Sequence, residues 1–73
     1  MDERRTILTK HASDTALDLD LDPEHIYKVV REGERTPDGR SKARYSLRTK
    51  KGLIVAICRE YPDLIEVITV MRR

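Results

Sequence analysis

Two apolar runs near the carboxyl end, residues 53–58 and 64–71, dominate the pattern of hydrophobic and polar positions. Both runs are rich in Val and Ile, which favour pleated, half-buried strands. Pro62 and Asp63 between them are typical of a turn, because proline fixes its own φ and aspartate bonds nearby backbone groups. The first run is apolar on both faces, so we expect it to be the central strand of a sheet.

A third strand precedes these runs at residues 42–49. Polar side chains at every second position alternate there with Ala43, Tyr45, Leu47 and Thr49. This period of two predicts a strand with one buried face. The segment Lys50-Lys51-Gly52 then turns the chain into the central strand, with Gly52 at a position that needs a positive φ. The three strands together predict an antiparallel meander.

The first half of the chain has helical patterns instead. Thr9 is a candidate N-cap for a helix over residues 10–20, where Ala12, Ala16 and Leu19 recur at helical spacing. Asp22, Pro23 and Glu24 begin a second helix over residues 23–32. We expect Gly33 to end that helix and residues 34–41 to form a loop. Residues 6–8 are either an edge strand or the lead-in to the first helix.

The predicted fold class is therefore α+β, with two N-terminal helices packed on a three-stranded antiparallel β-meander. The 73 residues suffice for a single domain, 1–73, of which residues 1–5 should be frayed. No run reaches the roughly 18 apolar residues of a membrane span, and the first ten residues contain no secretory apolar segment. The single Cys58 should be a buried thiol, which fits a cytoplasmic protein.

Charge is distributed unevenly along the chain, although the net charge is only +2. Residues 40–51 contain six bases and no acid. On the predicted strand, Lys42, Arg44 and Arg48 share one face, and a row of cations at strand spacing could follow a phosphate backbone. The alternative is a solvated strand face that binds nothing. The wider set of candidate nucleic-acid-binding residues is Lys42, Arg44, Arg48, Lys50, Lys51 and Arg72.

Histidine is the candidate group for proton transfer, since an unperturbed imidazole titrates near neutral pH. His11 opens the first predicted helix and His25 lies in the first turn of the second. Neither has a second His or a Cys at metal-ligand spacing, and a lone His is more often structural. Asp14 and Asp18 share a helix face and fit a solvated acidic surface better than a paired-carboxylate site. We expect no metal and no cofactor.

Short motifs give a family resemblance over residues 11–72. His11-Ala12, the stretch from Leu21 to Ile26 with Gly33 after it, and the closing Val67-Ile68-Thr69-Val70 resemble a family of small uncharacterised bacterial and archaeal domains. That family is similar to BrnT-type toxins and, more distantly, to the RelE/ParE superfamily of toxin–antitoxin systems. The chain departs from the family pattern at Thr15 and Leu19, where members often have arginine.

The resemblance implies helices on an antiparallel sheet, a metal-independent ribonuclease and an antitoxin partner. It carries over only His11, as an acid/base. Arg44, Arg48 and Arg59 complete the candidate catalytic set by charge and place alone, and Arg72 could assist. The alternative is a non-catalytic module that binds a protein at the edge of the sheet or binds nucleic acid without cleaving it. An oligomer could form through the same sheet edge.

Overall fold

The computed structural model describes residues 4–73. Two helices and five strands follow one another in the order β1 (Arg5–Leu8), α1 (Lys10–Asp18), α2 (Pro23–Glu32), β2 (Glu34–Pro37), β3 (Lys42–Thr49), β4 (Gly52–Glu60) and β5 (Leu64–Arg72). The predicted α+β class is confirmed, and both predicted helices are present. No helix within residues 4–73 is long and apolar enough to cross a membrane.

The strands form one sheet in the order β1-β5-β4-β3-β2. The pairs β2–β3, β3–β4 and β4–β5 are antiparallel, whereas β1 pairs with β5 in parallel. The prediction of a three-stranded antiparallel meander behind two N-terminal helices is therefore wrong. Only the meander β3-β4-β5 at the centre of this sheet was predicted, because its strands carry the apolar residues that periodicity detects.

The two strands outside the predicted meander lie at the edges of the sheet. Strand β2 was predicted as a loop, because all four of its residues are exposed and its sequence Glu-Arg-Thr-Pro has no apolar pattern. It is held by backbone pairing with β3, from Glu34 opposite Ser46 to Pro37 opposite Ala43. Proline at the end of an edge strand removes no ladder hydrogen bond that the sheet needs.

Strand β1 settles the two alternatives for residues 6–8 in favour of an edge strand. It pairs with the first half of β5, from Arg5 opposite Leu64 to Leu8 opposite Val67. Residues 1–5 were predicted to be frayed. Positions 1–3 of that segment lie outside the described residues. Arg5 is the first residue of β1, and Arg4 contacts the Glu60 carboxylate at 3.5 Å.

Helix α1 begins and ends as its local sequence dictates. The Thr9 side chain accepts a hydrogen bond of 3.1 Å from the Ala12 N–H and donates one to the Ile68 carbonyl. The helix ends at Asp18, two residues before the predicted end, and Asp20 has φ of +59°. The Leu21 N–H then donates back to the Ala16 carbonyl at 2.8 Å, which is the Schellman pattern of a helix end.

One face of the sheet packs on both helices, and this is where the core lies. Ala12, Ala16, Ile26 and Val29 from the helices meet the buried residues of the strands, which are Ala43, Tyr45, Ile54, Ala56, Cys58, Ile65, Val67 and Val70. The predicted alternation of β3 is confirmed, since Ala43 and Tyr45 are buried while Lys42 and Arg44 are exposed. Nothing in residues 4–73 covers the opposite face of the sheet, which we call the open face.

Cys58 provides a direct check on this core. Its side chain is fully buried on the helix-covered face, and burial raises the pKa of its thiol to about 12. Because the thiolate is the reactive form, we expect no reaction with a thiol reagent such as DTNB in native buffer and one equivalent after unfolding in guanidinium. Ser41→Cys in the exposed loop before β3 should react within seconds and serves as the control. Fast native labelling of Cys58 would contradict the described packing.

Candidate nucleic-acid interface

Strand β3 presents polar and basic side chains on the open face. Lys42, Arg44 and Arg48 are exposed, and Ser46 between them is half-buried. Alternate residues of a strand are about 6.6 Å apart, so these four positions form a straight line about 20 Å long. The sequence predicted this face correctly, because alternation along a strand fixes which residues share a side.

Arg59 joins this line from the neighbouring strand. It lies directly opposite Lys42 in the β3–β4 register, so the two side chains share the open face. The side chains of these four residues, Lys42, Arg44, Arg48 and Arg59, make no hydrogen bond or ion pair with any residue in 4–73. We call these four residues the basic patch. No ion pair within residues 4–73 holds them, although Glu66 lies opposite Arg59 on the same face.

An apolar strip runs beside the basic patch along β4. Leu53, Val55 and Ile57 alternate with the core residues of the same strand and therefore face the open side. Val55 is only 8% exposed, although no helix covers it. Its cross-strand neighbours are Ser46 on β3 and Met71 on β5. The centre of the open face is therefore apolar, and the cations of the basic patch lie along one side of it.

His11 reaches this face from the edge of the sheet. Its Nε2 lies 3.4 Å from the hydroxyl of Thr69, within hydrogen-bonding reach. Thr69 pairs with Ile57, which pairs with Arg44, so one cross-strand row links the positions of Thr69 and Arg44. Two interstrand spacings of about 4.8 Å separate the backbones at the ends of that row. Thr69 thus lies about 10 Å from Arg44 along this row, and His11 contacts it at the far end of the row.

The remaining predicted nucleic-acid-binding residues lie away from the basic patch. Lys50 and Lys51 form the turn between β3 and β4, and Lys51 donates a 2.6 Å hydrogen bond to the Asp20 carbonyl. Arg72 belongs to the helix-covered face and donates to the carbonyls of Leu19 and Lys51. Lys51 and Arg72 therefore anchor the end of α1 to the sheet. The residue pattern along one β-strand could not indicate these contacts with a distant helix.

Sequence reasoning missed a polar cluster on the helix-covered side of the sheet. The Tyr45 hydroxyl donates a 2.5 Å hydrogen bond to the Glu60 carboxylate. Arg35 donates two hydrogen bonds to the same carboxylate, of 2.6 Å and 3.0 Å, and Arg4 approaches it at 3.5 Å. The register explains the meeting, since Arg35 on β2 pairs with Tyr45 on β3. No sequence signal could have shown it, because Arg35 belongs to the strand that was predicted as a loop.

The electrostatics of this cluster indicate a structural role. Hydrogen bonds from Arg35 lower the pKa of Glu60 from 4.5 to about 2, even though burial opposes the shift. Burial and the hydrogen bond to Glu60 raise the pKa of Tyr45 to about 12. A general acid or base works best with a pKa near the operating pH, and neither group meets that condition. The cluster ties β2, β3 and the N-terminal segment to the end of β4.

Two further polar side chains, those of His25 and Glu66, lie outside the basic patch and the Glu60 cluster. His25 accepts a 3.0 Å hydrogen bond from the Asp22 N–H through Nδ1, so it stabilises the start of α2. Glu66 is an acid on the open face that sequence reasoning did not single out, and it lies opposite Arg59. Within residues 4–73, no group of three or more His, Cys, Asp or Glu side chains could hold a metal ion.

No protein-family model, curated protein or solved structure matches this chain. The chemistry of the open face must therefore be read from its residues. Three cations along β3, with Arg59 beside them on β4, can bind a polyanion. The His11 imidazole lies against Thr69, at the end of the row that begins at Arg44, and an imidazole can accept or donate a proton.

Proposed function

We propose that the protein binds RNA on the open face of its sheet and cleaves it without a metal ion, as a toxin of the toxin–antitoxin type acting in the cytoplasm. The observation that carries the proposal is the basic patch, whose four cations have no partner in residues 4–73. Phosphate contacts from Lys and Arg supply most of the affinity in non-specific nucleic-acid binding. An antitoxin would be the natural protein partner.

Cleavage requires little beyond a held phosphate and a proton acceptor. With a phosphate on Arg44 and the ribose lying over Ile57, the 2′-hydroxyl faces the edge from which His11 reaches Thr69. The His11 imidazole takes the 2′-hydroxyl proton as the 2′-oxygen bonds to phosphorus. The bond from phosphorus to the 5′-oxygen breaks, and that oxygen takes a proton from water. Arg44 stabilises the charge that develops on the phosphoryl oxygens.

A non-catalytic RNA-binding module is the second candidate. The observation that favours it is the separation of about 10 Å between the backbones of Arg44 and Thr69. The only side-chain hydrogen bond of His11 within residues 4–73 is with Thr69. A protein of this kind would use the basic patch for binding alone.

A cleavage assay decides between the two candidates. The protein is incubated with end-labelled RNA in low salt with EDTA, beside His11→Ala, Arg44→Ala and Arg48→Ala. For a ribonuclease, we expect wild-type cleavage to give 2′,3′-cyclic phosphate ends and each of His11→Ala and Arg44→Ala to lose about 100-fold in rate.

Arg31→Ala is the matched control, because Arg31 is an exposed arginine on α2 whose only ion pair within residues 4–73 is with the adjacent Glu32. It should cleave like wild type. Binding without cleavage, lost in Arg44→Ala and kept in Arg31→Ala, would establish the module instead. Absence of both binding and cleavage in folded wild-type protein would overturn the proposal.

A further inference from the structure

The spacing along β3 points to the form of nucleic acid that fits the open face. Lys42, Arg44, Ser46 and Arg48 follow one another at about 6.6 Å. Consecutive phosphates of an extended single strand lie at a similar spacing. We propose that an extended single strand of RNA lies along β3 with one phosphate at each of these four positions. The inference rests on the proposed function and adds the substrate form, its path and its footprint of about four nucleotides.

Ser46 is the position that sequence reasoning left out of the site. It lies midway between Arg44 and Arg48, where the row of cations is interrupted. Its side chain makes no hydrogen bond within residues 4–73, and a hydroxyl is a good donor to a phosphate oxygen. Ser46 is therefore the third phosphate contact of the row, a neutral one.

The rest of the open face argues against a duplex. A duplex presents two rows of phosphates, one on each side of a groove. The second row would fall on β5 and β1, where Arg5 is the one cation among the strand side chains on this face. The others are apolar, neutral or, at Glu66, negatively charged, so they offer no second row of phosphate contacts. A single strand needs only one row of cations.

The apolar strip on β4 gives the bases a place to lie. Leu53, Val55 and Ile57 run parallel to the basic row at about 4.8 Å. Leu53 and Ile57 are half-buried and can contact bases and riboses without hydrogen bonds, so no base is selected, whereas Val55 between them is already buried. No strand residue on the open face within residues 4–73 is aromatic, since Tyr45 faces the helices and Tyr61 lies in the turn after β4. Without stacking platforms, binding depends mainly on phosphate contacts.

Salt dependence measures the number of those contacts. For single strands, the slope of log K against log salt is about −0.7 for each neutralised phosphate. Three cations in the row and Arg59 beside it give an expected slope of about −2 to −3. Lys42→Ala should make the slope shallower by about 0.7. Ser46→Ala should weaken binding about two- to fivefold with no change of slope, because the hydroxyl carries no charge.

The test is fluorescence anisotropy with two labelled 2′-O-methyl RNAs that cannot be cleaved at the 2′ position, an unstructured oligouridine and a blunt hairpin of equal length. We expect the oligouridine to bind at least tenfold more tightly across a range of salt concentrations. Lys28→Ala is the control for Lys42→Ala, since Lys28 is an exposed lysine on α2 with no partner in residues 4–73. It should leave the slope unchanged.

Equal affinity for the hairpin would overturn the single-strand inference and leave the proposed function standing. An unchanged slope in Lys42→Ala, with thermal melting as in wild type, would overturn the path along β3. Failure of folded protein to bind either RNA would overturn the proposed function as well.

Discussion

Replacing Gly33 by alanine should destabilise the protein by about 3 kcal/mol, at the upper end of the usual range for overpacking. Gly33 joins α2 to β2 with φ of −76°, so alanine meets no backbone strain there. A Cβ at this position would instead collide with the Val29 carbonyl oxygen and lie 2.6 Å from that of Ser46. Both obstacles are backbone atoms, so neither can move aside without breaking hydrogen bonds of α2 or the contact with β3.

Urea unfolding followed by circular dichroism measures the effect. A domain of this size typically has a stability on the order of 5 kcal/mol, so the variant should be partly unfolded at 37 °C. The expected drop in melting temperature is about 15 °C. Gly39→Ala is the control, because Gly39 has φ of +98° but open space around its Cα. It should cost about 1 kcal/mol. An equal loss in both variants would show that close approach is not the reason for glycine at position 33.

Gly33 also shows where sequence reasoning reaches the right residue for the wrong reason. Gly33 was predicted to end α2, and glycine at that place is usually left-handed, whereas Gly33 has φ of −76°. The left-handed residues are instead Asp20 after α1 and the turn glycines Gly39 and Gly52. Gly52 was predicted correctly, because a tight turn between two clear strands leaves one interpretation. The approach of Gly33 to Ser46 depends on β2 pairing with β3, which the local sequence does not reveal.

Local sequence patterns predicted some strands of the sheet, whereas others depend on pairing that the local sequence does not reveal. Strands β3, β4 and β5 have buried faces, and burial leaves a period of two in the sequence. Strands β1 and β2 are held by backbone hydrogen bonds to a neighbour, which any side chain permits. Their sequences therefore do not reveal their pairing. The parallel pairing of β1 with β5 joins segments nearly sixty residues apart along the chain.

The candidate site follows this rule as well. Lys42, Arg44 and Arg48 were placed on one face by alternation alone, and the structure has them there. The approach of His11 to the same face depends on where β1 ends, and it was not derivable from spacing. Lys51 and Arg72 were included for their charge, yet their charges lie against the carbonyls that end α1. Charge identifies candidates, whereas tertiary pairing decides which of them remain available.

Glu60→Gln should cost about 2 kcal/mol at pH 7. The Glu60 side chain is 11% exposed and accepts hydrogen bonds from Tyr45 and Arg35. The fall of its pKa from 4.5 to about 2 would correspond to about 3 kcal/mol at 1.36 kcal/mol per unit. The Arg35 side chain is 46% exposed, so solvent screens part of that interaction. The glutamine keeps the volume of the side chain and loses the charge.

The pH dependence of this loss distinguishes a charge effect from a packing effect. The folded protein holds Glu60 ionised down to about pH 2, whereas the unfolded chain protonates it near pH 4.5. The stability that the carboxylate contributes is therefore fully present above about pH 5 and is lost as the pH falls through 4.5 towards 2. Unfolding free energies of wild type and Glu60→Gln, measured in urea at intervals from pH 7 to pH 2, should converge over that range. Glu34→Gln on the exposed edge strand is the control and should stay within about 0.5 kcal/mol of wild type at pH 7. A difference between wild type and Glu60→Gln that persists unchanged at pH 2 would mean that shape, and not the carboxylate charge, holds β2 and β3 to the end of β4.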